Sequence, residues 1–132
     1  MGTRPCSPEV RRGRLVKAEG FLAAADHISL LDDSGELRDA AVTLYVHAGI
    51  AAADAICCAR LGRHASGEHH VEAINLLKNA QSKSSKHLAT LLSVKTKAAY
   101  SHTPASAAEV KKAARAATQL IDGARDANPA EG

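Results

Sequence analysis

Apolar residues recur along this chain at three- and four-residue steps, the repeat of one face of an α-helix, and turn chemistry interrupts them three times. Ser7-Pro8-Glu9 is a helix start: a capping Ser, a Pro tolerated in the first turn, and an acid that complements the helix dipole. The stripe continues through Leu15, Ala18, Phe21, Leu22 and Ala25, with Arg11, Arg14 and Lys17 opposite, until residues 30–35 (LLDDSG) break it. A second helix is expected from about Glu36 to Leu61. Leu37, Ala41, Leu44, Ala48, Ala52, Ala55 and Ala59 form one stripe, and Val42, Val46, Gly49, Ala53, Ile56 and Cys57 widen it nearly all round. Such a helix is central or lies at a subunit interface. Gly49 costs about 1 kcal/mol against Ala in a helix interior, and a close crossing of another helix would account for it. Tyr45, His47 and Asp54 interrupt this apolar surface and are expected to be satisfied core or interface residues.

Gly62 is placed to cap that helix, and residues 62–67 (GRHASG) close it. A third helix is expected from near Glu68 to about Tyr100, through Val71, Ile74, Leu77, Leu88, Leu91 and Leu92. Residues 82–85 (SKSS) carry no apolar side chain, so a kink or two separate helices fit there. The last helix follows Pro104, with Ser106 and Glu109 spaced as a capping box, and ends at Asn128-Pro129. The pattern predicts an all-α chain: an antiparallel up-and-down four-helix bundle in one domain over residues 7–127, with residues 1–6 and 128–132 as flexible termini.

Composition supports helices over strands. Ala dominates, and the 132 residues include one Phe, two Tyr and no Trp. No run of roughly 20 consecutive apolar residues spans a bilayer, and Met1 to Cys6 lacks the apolar core of a signal peptide. The chain is therefore expected to be cytoplasmic, off the membrane, with Cys6, Cys57 and Cys58 as reduced, small buried hydrophobes. Net charge is only +3, but residues 73–108 hold no acid while Lys78, Lys83, Lys86, Lys95 and Lys97 all fall there. That run is either a solvated helix face or a contact for an anionic partner such as nucleic acid. His64, His69 and His70 lack a matching set of further ligands beyond Asp54, Glu68 and Glu72, so no metal and no cofactor is expected. Lys95, Lys97, Tyr100 and His102 would place cations, a hydroxyl and an imidazole near one helix end, which suits a phosphodiester.

The order of residues 18–25 (AEGFLAAA), 38–58 (RDAAVTLYVHAGIAAADAICC), 67–77 (GEHHVEAINLL) and 95–100 (KTKAAY), followed by an Ala-rich last helix, resembles the HEPN superfamily over nearly the full chain. The resemblance implies an up-and-down four-helix bundle that pairs through two helices into a homodimer, with the second helix at or near the interface. Catalytic members are metal-independent ribonucleases whose motif is an Arg, often a polar residue, then four to six residues and a His. Here six residues separate Lys95 from His102 and four separate Lys97 from it, so the His is in place and the Arg is not. Lys is a compact point charge and cannot make the bidentate phosphate clamp of Arg. The resemblance therefore implies a non-catalytic module that binds a partner such as RNA through Lys78, Lys83, Lys86, Lys95 and Lys97. The alternative is a toxin-like endoribonuclease, with His102 moving the proton, Lys95 or Lys97 holding the phosphate and Tyr100 beside them. Related modules also imply a nucleotidyltransferase or antitoxin-type protein as partner.

Overall fold

Ser7 begins the first helix as its chemistry requires: its side-chain oxygen accepts the N–H of Val10 at 3.2 Å. This helix, α1, spans Pro8–Leu31 in a computed structural model that describes residues 2–67 and 69–129. The Asp32 carboxylate then accepts the N–H groups of Gly35 (3.1 Å) and Leu37 (3.0 Å), folding the turn over Gly35 at φ 83°. Helix α2 spans Arg38–Leu61 and ends at Gly62, whose φ of 72° lets its N–H reach the Cys58 carbonyl.

The segment expected to be helical from about residue 68 to 100, with a kink or two separate helices fitting at residues 82–85, is two helices, α3 (His70–Ala80) and α4 (Ser82–Tyr100); its expected start, Glu68, lies outside the described residues, as do residues 130–132 of the expected tail. The break falls at Gln81, one residue ahead of the apolar-free stretch. Gln81 is extended (φ −158°, ψ 91°), its side chain donates to the Gly123 carbonyl at 3.3 Å, and the Ser84 hydroxyl donates to its amide oxygen. A Cβ at position 123 would collide with both side chains, so glycine there lets the break dock on the last helix. That helix, α5, spans Ala107–Ala127 and carries the full capping box: Glu109 N–H to Ser106 Oγ at 3.1 Å and Ser106 N–H to Glu109 Oε1 at 2.9 Å. Asp39 Oδ1 accepts the Ala105 N–H at 2.9 Å, fastening the approach to α5 against the first turn of α2.

The fold is mostly helical, with α2 packed against α1, α4 and α5. Val42, Tyr45, Val46, Ile56, Leu77, Leu88, Leu91, Leu120 and Ile121 are its largest fully buried side chains. Gly49 is a close-crossing residue: a Cβ there would overlap Leu91 Cδ1 and stand 3.1 Å from Leu120 Cδ1. The apolar surface of α2 that suggested a subunit interface is thus covered largely by its own chain. By length and composition α2 could also cross a membrane, yet most of it is buried among the other helices.

Two short strands complete the described fold. β1 (Thr3–Pro5) pairs antiparallel with β2 (Arg63–Ala65), setting Arg4 opposite His64. The pairing is extended by Cys6 N–H to Gly62 O (2.9 Å) and Ser66 N–H to Gly2 O (2.6 Å). Cys6 and Cys58 are joined in a disulfide across 52 positions, which corrects the expectation of three reduced cysteines. Cys57 alone is free and buried. Two adjacent helical residues point to different faces, so Cys57 serves the core while Cys58 meets Cys6, just after β1.

Candidate functional site

Ile50, Ala53, Asp54 and Cys57 lie at steps of three, four and seven along α2, and Leu88, Leu92 and Lys95 at steps of four and seven along α4. Each set therefore shares one helical face. The two faces form walls of a pocket of about 290 Å³, closed by Arg14 from α1, by residues 64–67 after α2, and by His69, His70 and Ala73 at the start of α3. Most of the wall is apolar, and Arg14, Asp54, His64, Ser66, His69, His70 and Lys95 are its polar members.

Asp54 anchors Arg14. Arg14 places Nε at 3.0 Å and a terminal guanidinium nitrogen at 2.8 Å from the same oxygen, Oδ2. The other oxygen, Oδ1, lies 3.9 Å from His64 Nδ1, too far for a hydrogen bond. His64 Nδ1 instead lies 2.7 Å from the Ala65 carbonyl. A carbonyl can only accept, so Nδ1 carries a proton in this contact. Burial pushes the Asp54 carboxyl above its usual range, against the opposing pull of Arg14 and His64. The Cys57 thiol is pushed up to about 12 by burial and then by the Asp54 charge, which keeps it an uncharged wall and not a nucleophile.

The residues singled out from the sequence are dispersed. Lys95 lines the pocket and also a smaller recess with Asp39, Val46 and His47. Lys97 lies two residues on and faces another way: its Nζ is 3.0 Å from Glu109 Oε2. Tyr100 is 87% exposed, His102 is exposed, and neither lines either recess beside the lysines. Lys78 and Lys86 are exposed without an ion pair among the described residues, whereas Lys83 Nζ stands 3.8 Å from Asp126. The acid-free run is acid-free only along the chain, because α5 lays Glu109 and Asp126 beside it.

The other polar residues of α2 are accounted for. Tyr45 is buried and donates to Asp26 Oδ1 at 2.6 Å; burial foremost, then that bond, raises its hydroxyl to about 12. His47 stacks at a tilt on Phe21, with ring centres 5.5 Å apart. Among the described residues no three His, Cys, Asp or Glu side chains converge as metal ligands.

Arg14 and Asp54 were not legible as a pair. The available signal was a lone carboxylate on an otherwise apolar helix, which requires a cation from a neighbour. The first helix offered Arg11, Arg14 and Lys17, and only packing selects among them. The chain matches no family model and no curated protein.

Proposed function

We propose that this chain is a non-catalytic helical binding module of HEPN-like, four-helix-bundle design, and that it recognises an anionic group in the pocket around Asp54. The supporting observation is a pocket lined by both apolar side chains and the polar Arg14, Asp54, His64, His69, His70 and Lys95, with Arg14 held on Asp54. A concave apolar site with a few converging polar groups, one of them shifted by burial, is where ligands bind. Two cations against one carboxylate favour an anion. The Cys57 thiol stays protonated and offers no nucleophile, which supports a binding role for the pocket.

RNA is the second reading, favoured by Lys78 and Lys86, which are exposed and carry no ion pair among the described residues. It uses the surface and not the pocket, and with so few aromatic side chains it would be sequence-tolerant and steeply salt-dependent. A paired titration separates the two. Small anions are expected to shift the backbone amides of Asp54, His64 and Lys95, while labelled single-stranded RNA leaves them in place and is not cleaved. Salt-sensitive RNA binding lost on replacing Lys78 and Lys86 would move the function to the surface. Cleavage lost in His102→Ala, in a folded variant, would make the chain a ribonuclease.

A further inference from the structure

The first helix carries apolar side chains on the face it turns away from the core. Gly13, Val16, Gly20, Ala23, His27 and Leu30 follow one another at alternating steps of three and four, and all are exposed. That spacing is the contact seam of paired helices, and it lies opposite the buried Ala18 and Ala25. Val16 is 69% exposed and Leu30 81%. Elsewhere in these helices glycine marks a close crossing, because side chains close over Gly49 and Gly123. At Gly13 and Gly20 a Cβ would meet no atom of the chain within 4 Å, although glycine weakens a helix interior. The chain's own packing gives no reason for either glycine; the approach of an outside helix does. None of the six residues lines the pocket around Asp54.

Charge says what covers this face. Residues 10–18 hold Arg11, Arg12, Arg14 and Lys17 and no acid, whereas residues 19–37 hold Glu19, Asp26, Asp32, Asp33 and Glu36 and neither Lys nor Arg. Arg14 and Glu19 are engaged within the chain, by Asp54 and Arg125. Arg12 and Lys17 are exposed toward one end of the stripe, and Asp33 and Glu36 just beyond the other. A helix that is basic at one end and acidic at the other complements a second copy of itself laid antiparallel and repels one laid parallel. We propose that the outer face of α1 is where a second copy of this chain docks, the two α1 helices antiparallel about a twofold axis between Gly20 and Ala23. That register sets Leu30 of each chain over Gly13 of the other and turns Arg12 of one toward Asp33 of the other. Helix α1 has 24 residues, so the seam is about 36 Å long. A single helix pair is a small interface, of the class that associates reversibly and weakly. This is not the surface of α2 expected from the sequence, most of which the chain itself covers.

Sedimentation of the full chain from about 5 µM to about 500 µM tests it: the average mass is expected to rise from one chain toward two, and to fall back when salt is added. Gly20→Gln is expected to weaken the dimer at least about tenfold, because its side chain fills the crossing. The same variant, when dilute, should unfold at a temperature no lower than the parent's, since no atom of its own chain stands in the way. Arg12→Glu and Asp33→Arg should each weaken association at least about threefold, and an equimolar mixture of the two should restore it, because every mixed contact again joins opposite charges. A mass that stays at one chain at every concentration would overturn the second copy as the occupant of this face. A dimer left intact by Gly20→Gln would place the contact elsewhere. Dimers of undiminished strength from both charge variants would overturn the antiparallel arrangement.

Discussion

Asp54 shows how one residue carries information that the sequence holds only in part. A carboxylate on an apolar helix signals a buried partner, but which cation supplies it depends on how α1 lies across α2. Removing Arg14 leaves that carboxylate buried without its hydrogen bonds. Arg14→Ala is therefore expected to lower stability by about 1–3 kcal/mol in denaturant unfolding, and Arg14→Met with Asp54→Leu to recover most of the loss. A double variant as unstable as the sum of the two single ones would show that the pair is not coupled. Glu109 gives a residue whose role was readable, because the Ser-x-x-Glu spacing names its backbone partner. Its carboxyl is lowered from 4.5 to about 2, first by the Ser106 backbone N–H and then by Lys97. A lowered folded value means the stabilisation is present above 4.5 and is lost as pH falls toward 2. Unfolding followed between those limits should show this component in the native chain and lack it in Glu109→Gln. The Lys97 contact was invisible in the sequence, since the partner lies on another helix.

At the scale of elements, chain punctuation was legible and long-range fastening was not. Ser7, Gly62 and Ser106 act within a few residues, so the boundaries they set are written locally. The α3–α4 break was suggested by the apolar-free stretch, but its position at Gln81 is fixed by Gly123 on α5. The β1–β2 ribbon has no local signature at all: three residues on each side pair because the Cys6–Cys58 bond and the Gly62 and Ser66 contacts hold them together. That bond requires an oxidising setting or a redox role, and it closes a loop long enough to stabilise the fold by about 2–4 kcal/mol. It also bears on the pocket, because β2 and Ser66 form one of its walls. Cys6→Ser is expected to lower stability by that amount. Hydrogen exchange should then quicken at Cys6 and Ser66 while Val46 and Leu120 in the core stay protected relative to them. Unchanged exchange at Ser66 would mean that the backbone pairing holds the ribbon without the bond.

Across the whole molecule, the apolar excess of α2 pointed to a central helix or to a subunit interface, and packing within the chain covers most of that surface. Gly49 is the test position, because Leu91 from α4 and Leu120 from α5 close over it. A methyl group there forces both leucines aside, and a larger side chain separates three helices at their point of nearest approach. Overpacking of this kind costs about 1–3 kcal/mol, which for a domain of this size lowers the thermal midpoint by about 3–15 °C. Gly49→Val is expected to lower it by the same amount at micromolar and at submillimolar protein, since the damage lies inside one chain. A loss that grew on dilution would place Gly49 at a contact between copies, as the homodimer expected from the sequence requires. Light scattering on the unaltered chain completes the argument. With most of α2 covered by α1, α4 and α5, a dimer would draw on other surface as well, and the exposed Leu30, Leu31 and Leu37 at the α1–α2 turn are the apolar side chains outside the core to replace first.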